Sequence, residues 1–440
     1  MEEQNNQPDE INEPVNDNKL DIEMPEMPDE PDKKRKGVLV GSAVLVLMII
    51  MIPAIMTIMM NKNDTNTGGG SGGSDDSSSS VIDIDDNTAV GIDELSSGSV
   101  ETTIGGKKVT YSAKYIVDGV TAVVKSGTYE STKDDEVVFL VINGGTLSLE
   151  DEVVINKSGS SNFDGRGDSY SFYGTNSAIV VVGDGSQAGI SDITINTSVD
   201  GANAVVATNG GSVVFADITI NTTKNASRGL HATFGGKIVG NGGTISTMGQ
   251  SCAALATDRG EGTVKVSQMK LSTAGVGSPL IYSTGEIEVS SSTGTATGAQ
   301  IAVVEGKNSI TINDCDFSAN GVGNRNNVDN AAVMIYQSMS GDASEGTGSF
   351  TAKNSKLTVL TDSEVYETTP FFFVTNTTAE IVLDEVEASF YEDGYFVLAA
   401  GTEEWGKSGS NGGIVKIDAV NLTATNTNVG VDELSSVNGL

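Results

Sequence analysis

The chain has 440 residues, with 59 acidic against 25 basic side chains for a formal net charge of −34, and it contains 53 glycines, two cysteines and one histidine. So large a deficit of cations argues against a nucleic-acid binder, which must neutralise phosphates over a basic face. One histidine argues against His-rich zinc sites, and two cysteines cannot make a disulfide framework.

Residues 1–36 hold five of the eight prolines and carry twelve acidic and five basic side chains with almost no apolar periodicity. Such a segment cannot bury enough surface to offset chain entropy, so a disordered acidic tail is expected. It ends in Lys33-Lys34-Arg35-Lys36, and the next 24 residues, 37–60, carry no charge. At about 1.5 Å per residue a helix of that length spans a hydrocarbon core of about 30 Å, and Pro53 is tolerated within it. A cleaved signal peptide has a shorter apolar region and a small-x-small site, which is missing before Asn61; a buried core helix would keep a polar face. The expectation is therefore a single uncleaved signal-anchor helix that holds the chain in the plasma membrane. Four cations precede the span and Lys62 alone follows it closely, which places the N-terminus in the cytoplasm and the C-terminal part outside. Residues 61–80, which include GGGSGGSDDSSSS, read as a tether.

From Val81 onward only Pro279 and Pro370 remain, as suits a chain whose backbone N–H groups are needed in ladders. Short β-branched runs are separated by Gly, Asn, Asp and Ser. DITINT occurs at 192–197 and again at 217–222, and a looser frame recurs around it. The frame is AIVVVGDG from Ala178, AVVATNGG from Ala204, GLHATFGG from Gly229, AALATDRG from Ala253, PLIYSTGE from Pro279, QIAVVEGK from Gln300, AVMIYQSM from Ala332 and FFFVTNTT from Phe371. Aligned on these frames, the second column (Ile179, Val205, Leu230, Ala254, Leu280, Ile301, Val333, Phe372) and the fourth (Val181, Ala207, Ala232, Ala256, Tyr282, Val303, Ile335, Val374) are expected to face inward. Repeats of 20–26 residues with no helix between the strands predict an all-β, right-handed parallel β-helix, since antiparallel sandwich strands would not keep side-chain types in register at 25-residue intervals. The expected boundaries are an N-terminal cap region at 81–136, the β-helix at 137–426 and an end segment at 427–440.

In these repeats, from about Val137 to Asn426, the sequence resembles the pectin-lyase-like superfamily of right-handed β-helices, and more narrowly its adhesin-like bacterial surface proteins. The resemblance implies architecture; the superfamily holds lyases, hydrolases, tailspikes and inert stalks, so fold does not assign chemistry. Members that cleave polygalacturonate carry paired Asp residues with a Gly-His-Gly element, or a calcium cluster with a catalytic Arg or Lys. This chain departs from that with Gly229-Leu230-His231 and no Asp-Asp element nearby. His231 falls in an otherwise apolar third column, where packing is its expected role; the column is also read as a covered or partner-facing strip, with His231 a candidate ligand-binding residue in it.

The sixth column brings Asp258 and Glu305 two coils apart with Thr284 between. At about 4.8 Å per coil their backbones stand about 10 Å apart, within reach of the carboxyl separation of an inverting glycosidase. Arg259 beside them could bind an anionic sugar. The competing reading is a solvated acidic row, in a rod carrying 44 acidic and 19 basic residues. Other candidate ligand-binding residues are Arg166-Gly167-Asp168, an integrin-type tripeptide in a long insertion, and the region of Trp405. Asp83, Asp85, Asn87 and Glu94 occupy positions 1, 3, 5 and 12 of an EF-hand-like calcium loop, but Thr88 stands where glycine is required, so no cofactor beyond this weak calcium site is expected. Cys252 and Cys315 fall in different registers and are expected as unpaired thiols. GIDELSS at 91–97 recurs as GVDELSS at 430–436 and brackets the rod.

The expected function is a surface adhesion or carbohydrate- and ligand-binding module, in a Gram-positive bacterium, with the membrane and an extracellular glycan or cell-surface ligand as partners and no nucleic acid. An enzyme is the less favoured class and would be a polysaccharide lyase or hydrolase. A third reading is a structural spacer or envelope sensor without a ligand. Of the net charge, −25 lies on residues 81–440, which disfavours polyanionic ligands unless local cations intervene.

Overall fold

The computed structural model describes residues 82, 88–162, 170, 172–321, 330–338, 340–360, 370–390, 395–401, 413–426 and 433–437. The acidic tail, the apolar stretch 37–60 and the tether lie outside these residues. Among the described residues no helix is long and apolar enough to cross a membrane.

The described chain is almost all β, wound as successive coils. One sheet holds twelve short strands, and all of them pair in parallel except the first. Ser96–Ile104 and Lys107–Asp118 form an antiparallel hairpin. Parallel pairing then begins with Ser112 opposite Glu136, inside the region expected as a cap, and continues to Val397–Ala400 opposite Phe372–Thr375. The segment after each short strand is one long strand or two shorter ones; Ser212–Thr222 is a long one, pairing in parallel with Gln187–Thr197 before it and Gly236–Thr247 after it. Coils of this kind, each hydrogen-bonded to its two neighbours, fit a parallel β-helix.

A bend divides the long strands. Asp192, Asp217, Gln268, Ser291, Asp314, Asn354, Glu385 and Asn421 all have φ between 46° and 58°, and Gly242 stands in the same row. Left-handed backbone costs about 1 kcal/mol or more for most residues and least for Asn, Asp and Gly, whose short side chains bond locally or are missing. The Asp of DITINT is therefore a corner residue, and its ITINT forms the next strand. On the outer side of that strand Asn196 Nδ2 donates to Asn156 Oδ1 and Asn221 Nδ2 donates to Asn196 Oδ1, both at 3.0 Å. Asn156, Asn196 and Asn221, each in an Asn-x-Ser/Thr triplet, form a side-chain ladder along the coil stack.

The inward rows make one continuous core. Ile179, Val205, Leu230, Leu255, Ile281, Ala302, Val333 and Phe372 form one row, and Val181, Ala207, Ala232, Val304, Ile335 and Val374 belong to the next. This corrects the sequence frame in three coils. Leu255, Ile281 and Ala302 hold the inward strand positions, the expected Ala254, Leu280 and Ile301 are buried in the same core one residue before them, and Ala256, Tyr282 and Val303 move to the outer face. A shift of one residue inverts every side chain of a strand. Its source is visible at Gly236, which pairs with Gly262 while Phe234 N donates to Arg259 O, so Glu261 is an extra residue in the later turn. An added Cβ at Gly236 would strike the Ala207 carbonyl, so the chain returns to glycine there regardless of the insertion.

Aromatic side chains close both ends of the core. Tyr115 and Phe139 stack at 5.0 Å at one end, and Phe371 stacks on Phe396 at 5.7 Å at the other. Cys252 and Cys315 are unpaired and buried, each in a row otherwise filled by serine. Cys252 Sγ accepts from Ser227 N and bonds the Lys224 carbonyl as Ser278 Oγ bonds that of Gly249, and Cys315 N donates to Ser355 Oγ. At the C-terminal end Glu433–Val437 pairs antiparallel with Leu422–Asn426, and Ser96 opens the antiparallel hairpin at the other. The two copies of the GxDELSS segment thus each lead into antiparallel pairing at an end of the stack.

Candidate functional site

The outer face of the short-strand sheet is where the coils differ. Its outward row runs Leu140, Val180, Val206, His231, Ala256, Tyr282, Val303, Met334 and Phe373. An exposed apolar row of this length would be unusual, and the protein covers much of it itself. Val180 and Val206 are buried in a cluster with Ile104, Val109 and Tyr111 of the hairpin, and Tyr111 donates to the Tyr173 carbonyl at 2.6 Å. That packing ends the expectation that the whole row faces a partner. At the other end Val303, Met334, Tyr336 and Phe373 make a second buried apolar cluster.

Between the two clusters the row turns polar. His231 is fully buried and its Nε2 lies 3.6 Å from Asp258 Oδ2. Arg228, entering the same coil, reaches Asp258 Oδ2 with Nη2 at 3.2 Å, and Asp258 Oδ1 accepts the Arg259 amide at 3.0 Å. Burial pushes His231 down to about 4, with the Arg228 charge adding to the effect and Asp258 opposing it, so the imidazole is neutral at pH 7. Neither imidazole nitrogen has a hydrogen-bond partner, and Arg228 Nη1 and Thr284 Oγ1 are also buried without one. Four orphaned polar atoms on two coils that flank the coil of Asp258 are more than packing requires.

Two coils on, Glu305 is 1% exposed. Tyr282 donates to its Oε2 at 2.5 Å and Tyr336 to the same oxygen at 2.9 Å, while Ser338 donates to Oε1. Burial raises the Glu305 carboxyl above its ordinary range, and the Asp258 charge adds to the rise against the pull of the hydroxyls. Burial and the Glu305 charge lift both tyrosines well above theirs. The register keeps Asp258, Thr284 and Glu305 in one row, as the sequence frame had them, because all three of their coils carried the same one-residue offset. Tyr336 follows directly in that row.

Arg259 is engaged as well. Its Nε and Nη2 reach Asp342 Oδ1 at 2.8 and 2.6 Å, and its guanidinium lies 4.2 Å from the centroid of the Phe172 ring. Expected as a ligand for an anionic sugar, it holds the protein's own carboxylate here. Sequence reasoning missed Arg228, Tyr282 and Tyr336. Arg228 precedes its strand, and the slipped frame placed Tyr282 inside and Tyr336 one column from Glu305.

The remaining candidates do not join this cluster. Glu94 Oε1 accepts from the Gly91 amide of its own turn at 3.1 Å, while Asp83, Asp85 and Asn87 lie outside the described residues. So do Arg166, Gly167, Asp168 and Trp405. Among the described residues no group of three His, Cys, Asp or Glu side chains is placed to hold a metal ion.

No family model matches the sequence, and no curated protein matches it. Among solved structures the chain is similar to the alginate lyase from Paenibacillus sp. str. FPU-7, with 13% identity, a TM-score of 0.32, and coverage of 61% of this chain and 89% of that one. A likeness of that size carries no weight for fold or chemistry.

Proposed function

We propose that this chain is a membrane-anchored extracellular protein whose right-handed parallel β-helix, of the pectin-lyase-like kind, binds a carboxylated polysaccharide at the Arg228–Asp258–Glu305 cluster. The observation that carries the reading is the polar interruption of an outward row that is otherwise apolar and covered. Two of the five arginines in the chain meet there, in a rod whose acidic excess repels polyanions elsewhere. Arginine suits the task because its planar fork matches a carboxylate, and Phe172 supplies a face against which the guanidinium is oriented. The orphaned Nη1 of Arg228 is a donor left for a ligand, and the neutral imidazole of His231 offers one N–H and one acceptor nitrogen beside it. Anchoring through residues 37–60 rests on the sequence, from the uncharged span and the cations before it.

Cleavage of the bound chain is the second reading, favoured by the Asp258–Glu305 pair. Two carboxyls about two coil heights apart, one raised by burial, have the separation and the asymmetry that acid and base roles require. Binding is preferred because Glu305 is enclosed by hydroxyls and Asp258 is paired with Arg228, which leaves no place for an attacking water.

The test is calorimetry and product analysis of the full-length protein with acidic and neutral oligosaccharides. Retention of uronate oligomers without products, lost in Arg228→Ala, supports binding. Chain shortening abolished by Glu305→Gln supports cleavage, and no interaction with any acidic glycan refutes both.

A further inference from the structure

Resting on that reading, we propose that residues 340–346 are a strap that closes the cluster, with Asp342 acting as an internal stand-in for the ligand's carboxylate on Arg259. The middle of the segment dips toward the protein while both of its ends stay exposed. Asp342 and Ala343 turn inward, whereas Ser340, Gly341, Ser344, Glu345 and Gly346 are exposed.

It is held along its length, and at its end the Gly346 carbonyl accepts Thr377 Oγ1 at 2.9 Å. Asp342 Oδ1 accepts from both Nε and Nη2 of Arg259, a side-on contact of the guanidinium with one carboxylate oxygen. The Ser344 carbonyl accepts the Lys307 amide at 3.0 Å, and the Ala343 carbonyl accepts Gln337 Nε2 at 3.2 Å. At its start the Ser340 hydroxyl contacts that of Ser338, which bonds Glu305. The ties at the Ala343, Ser344 and Gly346 carbonyls are neutral hydrogen bonds. The charged tie is the one an anionic ligand can replace, so the carboxylate that opens the strap is the one that then occupies Arg259. Displacing Asp342 also withdraws the Ser340 hydroxyl, 3.4 Å from Glu305 Oε1, while Ser338, Tyr282 and Tyr336 keep the carboxyl enclosed.

The experiment compares the full-length protein with Asp342→Ala and with Asp342→Asn, which keeps the shape and removes the charge. Hydrogen exchange of the Lys307 amide reports strap opening, and the amides of residues 310–312, inside the core ladder, serve as the internal control for folding. Exchange at Lys307 is expected to rise about tenfold in both variants while the control amides stay unchanged. Affinity for a hexagalacturonate is expected to rise about tenfold, with none for a neutral cello-oligosaccharide. Unchanged exchange at Lys307 overturns the strap, whatever the binding result, and so does faster exchange with unchanged or weaker hexagalacturonate affinity. Faster exchange in a protein that binds no acidic oligosaccharide in any form leaves the strap standing and removes the glycan reading.

Discussion

Replacing Arg228 with alanine tests the electrostatics of the cluster directly, because the chain has one histidine and that residue reports on it. Arg228 and Asp258 side chains are 13% and 4% exposed, so removing the cation leaves the Asp258 carboxylate largely enclosed and facing His231. Breaking such a pair costs about 3 kcal/mol at neutral pH. In the wild type the His231 value near 4 lies below the ordinary 6.5, so between those values the unfolded chain binds a proton that the folded chain refuses. Stability therefore falls as the pH drops through that window, at about 1.4 kcal/mol for each pH step of one, and the loss reaches about 3 kcal/mol at the lower end. In Arg228→Ala the repelling cation is gone while Asp258 remains, so the His231 value rises and the acid-dependent loss shrinks. The variant should melt well below wild type at pH 7, and the gap should narrow at pH 5. The imidazole C2–H resonance, followed by NMR from pH 7.5 downward, gives both titrations without assignment. A wild-type midpoint near 6.5, or a variant midpoint at or below that of the wild type, would refute the account of the cluster.

Asn196→Ala removes the middle of the Asn156–Asn196–Asn221 ladder, with two bonds of about 1 kcal/mol each, and should lower the unfolding free energy in a denaturant titration by about 2 kcal/mol. Cys252→Ser should melt as wild type does because serine keeps the row's bonding, whereas Cys252→Val should cost about 2 kcal/mol by stranding the Ser227 amide. Both thiols, pushed up to about 11 by burial, should resist a disulfide reagent at pH 8 in the native protein and react when it is unfolded. Deletion of residues 427–440 strips the antiparallel strand from Leu422–Asn426 and bares a parallel edge, so sedimentation should show end-to-end association that the full chain does not display.

The period of the coils, the β class and the parallel stacking were legible in the sequence, because stacking repeats in register forces similar side chains to recur at a constant spacing. The Asp258, Thr284 and Glu305 row was legible for the same reason. Which side of the sheet a residue faces was not. Glycine punctuation marks turns, and a turn can absorb an extra Glu261 without moving its glycines in any way the eye can align, whereas the ladder hydrogen bonds fix the register residue by residue. That one-residue uncertainty is what hid Tyr282 on the outer face beside Glu305. The covering of Val180 and Val206 by a hairpin more than sixty residues upstream, and the meeting of Arg259 with Asp342 across 83 residues, depend on how the chain folds back over its own sheet. Local sequence sets the strands and their period, and long-range packing alone decides which outward residues are roofed, which are left polar, and which carboxylate an arginine finds.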